Sequence, residues 1–244
     1  MDSKLSSGDF VHLHNHSQYS LLDGLTKLPE LVDFVKNQGM EAVAVTDHGT
    51  LSGIIEFYKQ ANYAEIKPII GIETYMAARK LTDKDPSKDK QRYHLILLAM
   101  NNKGYQNLMR LSTIANTDGY YYYPRIDRET LKKYSEGIIV LSACMGSEIG
   151  DALKQDQYNK AIDVAKWYKN VFGDRYYLEV QDHGHKDNPL YSAEQGKINK
   201  QIFCSLVFTS KKYFSFLIQQ NKIKHSVSDT LYIITHKIYN FYRF

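Results

Sequence analysis

The feature that most constrains this 244-residue chain is the alternation, over residues 1–200, of short β-branched apolar runs with amphipathic helical stretches. FVHLH (10–14), AVAVT (42–46), KPIIGIE (67–73), HLILLA (94–99), IIVLSA (138–143) and YYLEV (176–180) are bounded by turn residues, as strands buried on both faces should be. Between them Leu28, Leu31, Val32 and Val35 repeat at i, i+3, i+4, i+7, with Thr26 read as N-cap and Gly39 as the stop. Ala161, Ala165, Tyr168 and Phe172 mark a second helix before Gly173, and further helices are expected near 51–65, 103–116, 147–154 and 189–200. Six βα units predict an α/β fold on a parallel sheet, either doubly wound or closed into a barrel. No Gly-rich phosphate loop follows the first strand, which disfavours a nucleotide-binding Rossmann domain. The polar segment TDKDPSKDKQ (82–91) reads as an exposed loop.

Charge divides the chain differently. The net charge is +4, yet residues 1–200 hold 25 Lys+Arg against 26 Asp+Glu, and residues 201–244 hold 6 against 1. The basic excess lies wholly in the last 44 residues, which also lack Gly, Pro, Ala and Glu and contain 10 aromatic residues. Such a tail is either a nucleic-acid arm or sequence never selected to fold with the rest. The near-neutral body gives no electrostatic case for DNA binding. Nothing is apolar and long enough to span a bilayer, MDSKLSSGDF lacks a signal-peptide core, and Cys144 and Cys204 are too few for a disulfide framework. A cytoplasmic setting without membrane contact is expected.

The chemistry-bearing residues gather at strand ends. His12, His14 and His16 alternate in HLHNHSQYSLLDG, so an extended backbone would put the three imidazoles on one face, with Asp23 seven residues on. Asp47 and His48 follow the second strand, Glu73 ends the third and Cys144 follows the fifth. C-terminal strand ends form the active face of parallel α/β folds. A set of imidazoles, carboxylates and one thiol suits Zn, Mn or Fe better than Mg or Ca. Asp47 could instead cap the next helix, Cys144 could be a buried apolar side chain and Glu73 a solvated strand end.

The segments HLHNHSQYSLLDG, AVAVTDHGTLSG, KPIIGIETY, YHLILLAMNNKGYQNLMRLST, GYYYYPRID and YYLEVQDHG, in this order, resemble the N-terminal PHP (polymerase and histidinol phosphatase) domain of bacterial DNA polymerase III alpha subunits. The resemblance covers nearly all of residues 9–200 and implies a distorted (βα)7 barrel whose rim holds up to three divalent ions. Carried over residue by residue, it implies metal ligands at His14, His16, Asp23, His48, Glu73 (bridging), His94 and Cys144. His94 rests on the resemblance alone, because it opens an apolar run instead of closing one. His12 precedes the motif and is not carried over, and His183 is given no ligand role.

The family's last two ligands form an Asp-x-His pair at the seventh strand, and no such pair follows residue 200 here. Laying LVFTSKKYF (206–214) over that strand would put Lys211 and Tyr213 at the ligand positions. An ammonium beside the ions would reverse the sign of the local interaction. The expected organisation is therefore a PHP domain over 1–200 with its last strand altered or missing, and a divergent basic-aromatic tail over 201–244 such as a frameshift would produce. The open barrel edge left behind predicts aggregation. The resemblance implies a fragment used in DNA replication, with DNA and other replicative polymerase subunits as partners and a metal-dependent phosphoesterase or 3′–5′ exonuclease site that is incomplete. The family's nucleotidyl-transfer aspartates lie beyond residue 244. A free-standing phosphoesterase of the histidinol-phosphatase kind and a non-catalytic scaffold are the alternatives.

Overall fold

The computed structural model describes residues 10–21, 23–182, 196–199 and 215–220. Helix α1 (Leu28–Asn37) leads to β1 (Ala42–Val45), α2 (Ile54–Tyr63), β2 (Lys67–Ala77), β3 (Arg92–Ala99) and α3 (Asn102–Thr117). A two-residue strand β4 (Arg125–Ile126), α4 (Arg128–Lys133), β5 (Ile138–Leu141), α5 (Glu148–Lys154), α6 (Tyr158–Phe172), β6 (Tyr176–Asp182) and β7 (Ser215–Gln220) complete the described elements. Residues 196–199 are helical, within the helix expected at 189–200, and the rest of that stretch lies outside the described residues.

The helices follow their apolar stripes. Helix α1 buries Leu28, Leu31, Val32 and Val35, as the spacing predicts, and Gly39 ends it at φ +72°. Its N-cap is Lys27 with no side-chain cap, and Thr26 instead accepts the Gln18 N–H through its carbonyl. Each buried aliphatic side chain contributes about 1.5–3 kcal/mol. A missing cap costs about 1 kcal/mol, so burial decides the helix. Asn101, Asp127 and Ser147 cap α3, α4 and α5 by accepting the N–H of Gly104, Thr130 and Gly150.

The strands form one curled sheet in the order β1-β2-β3-β5-β6-β7, with β4 paired to β2. Two apolar clusters pack on it. The larger joins β2, β3, β5 and β6 to α3, α5 and α6, and the smaller lies between β1 and helices α1 and α2.

Three strand expectations change. Strand β3 runs antiparallel to both β2 and β5, so the sheet is mixed and not all-parallel. Its direction follows from the connection, since the loop holding 82–91 returns the chain directly to the neighbouring strand without a crossover helix. That loop is pinned from beneath by Arg125, whose buried guanidinium donates to the carbonyls of Gly119, Leu81, Asp83 and Asp89. The run at 10–14 forms no full strand, only a parallel bridge from His12 to Val43, continued where Thr46 N donates to the Asn15 carbonyl. Finally, β7 pairs with β6 in parallel register from Tyr177↔Ser215 to Asp182↔Gln220. A strand thus occupies the expected open edge, built from SFLIQQ and without an Asp-x-His sequence.

Candidate metal centre

The first motif reaches the sheet rim as a loop tied down by one buried carboxylate. Asp47, just past β1, accepts Ser17 N at 2.6 Å, Ser17 Oγ at 2.8 Å and Ser20 Oγ at 3.0 Å. Ser20 Oγ in turn accepts the N–H of His48. Asp47 therefore clamps the two histidine-bearing loops together and does not cap a helix. Asn15 adds a second tie, its amide donating to the carbonyls of His12 and Ala44.

Glu73, on β2 and fully buried, is the hub of what these loops deliver. Its Oε2 lies 2.8 Å from His14 Nε2, 2.6 Å from His16 Nε2 and 3.6 Å from His48 Nδ1. Its Oε1 lies 2.5 Å from His94 Nδ1. On the outer side, His48 Nε2 is 2.9 Å from Oδ2 of the half-exposed Asp23. The antiparallel direction of β3 puts His94 here. Tyr75 pairs with His94 in register, so the start of β3 lies at the same rim as the end of β2. A parallel β3 would carry His94 to the opposite end of the sheet.

Cys144 sits at the edge of this group. Its Sγ is 3.6 Å from His94 Nδ1 and accepts Gly146 N at 3.4 Å. Four of the seven candidates, His14, His16, His48 and His94, lie against a fifth, Glu73, while Asp23 reaches them through His48 and Cys144 through His94. His12 is set apart, its ring edge-on to Phe10. His183, Lys211 and Tyr213 lie outside the described residues.

One participant is missing from the sequence expectations. Glu179, buried on β6, has Oε1 2.8 Å from His14 Nδ1 and 2.7 Å from the Gln181 amide that donates to it. Ser142 Oγ accepts the Glu179 N–H and secures the strand beside β5. A signal was present, since Glu179 is the one charge in the apolar run YYLEV. An unpaired carboxylate is seldom buried in such a strand. Tyr75 was likewise not singled out, although its ring stacks on His48 with centroids 5.7 Å apart and meets His94 edge-on.

The electrostatics favour a bound cation. Burial alone would lower the His14 pKa, but Glu179 and Glu73 outweigh it and hold it well above the ordinary histidine value. For His94 burial is likewise opposed, by Cys144 and Glu73, which raise it to about 9. Burial also acts against the charged Glu73, yet the imidazoles of His14, His16 and His94 keep its pKa well below the usual carboxylate range. His48 goes the other way, lowered by burial and by His16 and His94 despite Glu73 and Asp23.

The residues also fit metal ions by an observation independent of charge. His48 Nδ1 and Glu179 Oε2 are buried with no hydrogen-bond partner. His14 Nδ1 faces Glu179, so Nε2 is the nitrogen turned toward the Glu73 oxygen. Three overlapping groups have their ligand atoms within 4.8 Å of one another, namely His14–His16–Glu73, His16–Asp23–His48 and His48–Glu73–His94. Glu73 belongs to two of them, as a bridging carboxylate would.

The sequence matches the family described as "PHP domain" over residues 12–183. The chain belongs to the PHP domain family. This match runs over all seven candidate ligands and Glu179. Among sequence relatives of the PHP chain, the DNA polymerase III subunit alpha of Borreliella burgdorferi is 44% identical over 206 residues, covering 84% of this chain and 18% of that protein. That of Aquifex aeolicus is 40% identical over 227 residues, 91% of this chain and 19% of the relative. The PHP chain therefore spans less than a fifth of these relatives. A solved amidohydrolase from Chromobacterium violaceum shares the fold at a TM-score of 0.52 and 11% identity, over 95% of this chain and 96% of that one. No helix among the described residues is long and apolar enough to cross a membrane.

Proposed function

We propose that this chain is the N-terminal PHP portion of a cytoplasmic DNA polymerase III alpha subunit, and that it binds divalent ions through His14, His16, Asp23, His48, Glu73, His94 and Cys144. The observation that carries the reading is the convergence of four imidazoles on the single buried carboxylate of Glu73. Zn, Mn or Fe suits this donor set, up to three ions in a complete site. Held by these residues, such ions would supply the chemistry of phosphoester hydrolysis, a nucleophile at neutral pH and charge stabilisation of the reacting oxygens. The chain's own residues prepare that chemistry. Glu179 sets the tautomer of His14 so that Nε2 faces the centre. Glu73 would offer both its oxygens to the ions, and the half-exposed Asp23 lies on the side from which a phosphoester would enter. DNA and the other subunits of the replicative polymerase are the partners this reading supplies.

A second reading, a scaffold without catalysis, is favoured by one specific feature. No Asp-x-His pair follows residue 200, and SFLIQQ stands at the seventh strand. One experiment separates the two. Purified chain is assayed for metal by plasma emission and for metal-dependent degradation of single-stranded DNA. Bound metal with chelator-sensitive hydrolysis, lost in Glu73→Ala, supports the enzyme, and bound metal without hydrolysis supports the scaffold. Less than one ion per chain overturns the metal site itself. The proposed boundary between the PHP domain and a divergent 201–244 tail is tested by reading the gene after codon 200 in all three frames. A strand ending in Asp-x-His in another frame establishes a frameshift.

A further inference from the structure

Beside the candidate metal centre the rim carries an exposed lysine, Lys90, and a half-buried arginine, Arg92, over two exposed aromatic rings. Arg92 and His94 alternate on β3, so their side chains share a face about 6.6 Å apart, and Lys90 lies in the bend just before the strand. Arg92 pairs in register with Ala77, one step outward from the Tyr75–His94 pair. Its guanidinium lies 3.5 Å from the Tyr123 ring centroid and 5.1 Å from that of Tyr75. Lys90 Nζ stands 6.0 Å from the Tyr122 centroid. Tyr123 meets Tyr75 at 5.4 Å, and Tyr75 stacks on His48, so one ladder of rings leads from the surface to the candidate ligands.

Three observations say that this ladder is more than packing. Arg92 is paired with no carboxylate among the described residues, and its Nε is buried with no hydrogen-bond partner. Its guanidinium is held in place by aromatic faces, with no carboxylate to compete for an anion. Tyr122 is 62% exposed and Tyr123 41%, so both rings keep surface open to a stacking partner. Tyr122 also occupies the left-handed region at φ +60°, at the tip of a turn closed by the Tyr121–Tyr123 bridge. A strained aromatic residue displayed at a rim points to contact with something outside the molecule.

We infer that Lys90, Arg92, Tyr122 and Tyr123 form a reading platform for single-stranded nucleic acid, with bases stacking on the two tyrosines and phosphates on the two cations as the strand end is led to Glu73. The near-zero charge of the body does not oppose this, because two cations concentrated at the rim act locally. The inference rests on the proposed metal-dependent phosphoesterase and assigns to four rim residues the presentation of a single strand to it. Aromatic stacking with adjacent cations is the chemistry of sequence-tolerant single-strand binding.

The test is made in chelator, so that it stands or falls apart from metal occupancy. The 244-residue chain is titrated by fluorescence anisotropy against a labelled oligo(dT), an abasic oligomer of equal length and a blunt duplex. Tyr122→Ala, on an exposed ring, is expected to weaken oligo(dT) binding about ten-fold and to leave the circular dichroism spectrum unchanged. Arg92→Gln is expected to weaken it similarly and to lower the salt slope by about one. Oligo(dT) should bind at least ten-fold more tightly than the abasic oligomer. Equal affinity for the abasic strand, tighter binding of the duplex, or wild-type affinity in both variants would overturn the platform. Binding that passes these tests on a chain that holds less than one ion in the metal assay would overturn the phosphoesterase reading and leave the platform standing.

Discussion

His14 Nδ1 lies 2.8 Å from Glu179 Oε1, joining the loop beside one end of the sheet to β6, which is separated from β2 by β3 and β5. The pair closes the curl of the sheet across its rim and fixes which nitrogen of His14 faces Glu73. Outer-sphere carboxylates of this kind typically change metal affinity by about 10–100-fold. Glu179→Gln, which keeps the shape and removes the charge, is expected to weaken Zn or Mn binding within that range, measured by competition with a chromophoric chelator. Unchanged affinity would show that Glu179 serves only the fold.

Asp47 is expected to matter for stability more than its place beside His48 suggests. Asp47→Ala strands Ser17 N, Ser17 Oγ and Ser20 Oγ, all buried. Each lost partner in such a setting costs about 1–3 kcal/mol, and relaxation recovers part. A loss of about 2–4 kcal/mol in urea denaturation is the expected outcome. A change below about 1 kcal/mol would mean that the loops find other partners.

Arg125→Lys tests the pin beneath the 82–91 loop. The guanidinium fork reaches four carbonyls at once, a geometry a single ammonium lacks. The substitution is expected to destabilise by about 3 kcal/mol and to make the loop an early site of limited proteolysis. Wild-type resistance would count against the pin.

Acid stability should report the Arg79–Asp89 pair. Hydrogen bonds from the Arg79 guanidinium, helped by Asp85 N, outweigh desolvation and lower the Asp89 pKa to about 2. A depressed folded-state pKa contributes stability that is present above the unfolded value near 4 and is lost as pH falls toward 2. Chemical denaturation from pH 5 to pH 2 should therefore show a decline that Asp89→Asn reduces. Parallel curves for the two proteins would assign acid sensitivity elsewhere.

Metal removal has a thermal signature. A ligand that binds only the folded state stabilises in proportion to the logarithm of its saturation. Chelator is expected to lower the melting temperature of metal-loaded chain by several degrees, and His16→Ala or His48→Ala should abolish that difference. A melting curve indifferent to chelator would contradict occupancy.

Local sequence was sufficient for the elements themselves. The stripe of Leu28, Leu31, Val32 and Val35 produced α1, and Gly39 and Gly173 ended their helices because a left-handed C-terminal residue costs glycine little. The residues His14, His16, His48 and Glu73 were legible as a group because each follows or ends an apolar run. His12 shared their spacing but not their place, since period-2 alternation requires an extended strand and the chain at 10–14 makes a single bridge.

What sequence alone determined, then, is most of the strands and helices and most of the side chains that end at one rim, because burial and periodicity are properties of neighbours along the chain. Only the tertiary structure decided that β3 reverses, which brings His94 to Glu73, and that the sheet curls until Glu179 meets His14. Strand direction depends on a connection that pairs β2 with β3, and curl is the accumulated twist of many strands. Neither is encoded in any one segment, so the ligand on β3 and the carboxylate on β6 became visible as partners only in the folded sheet.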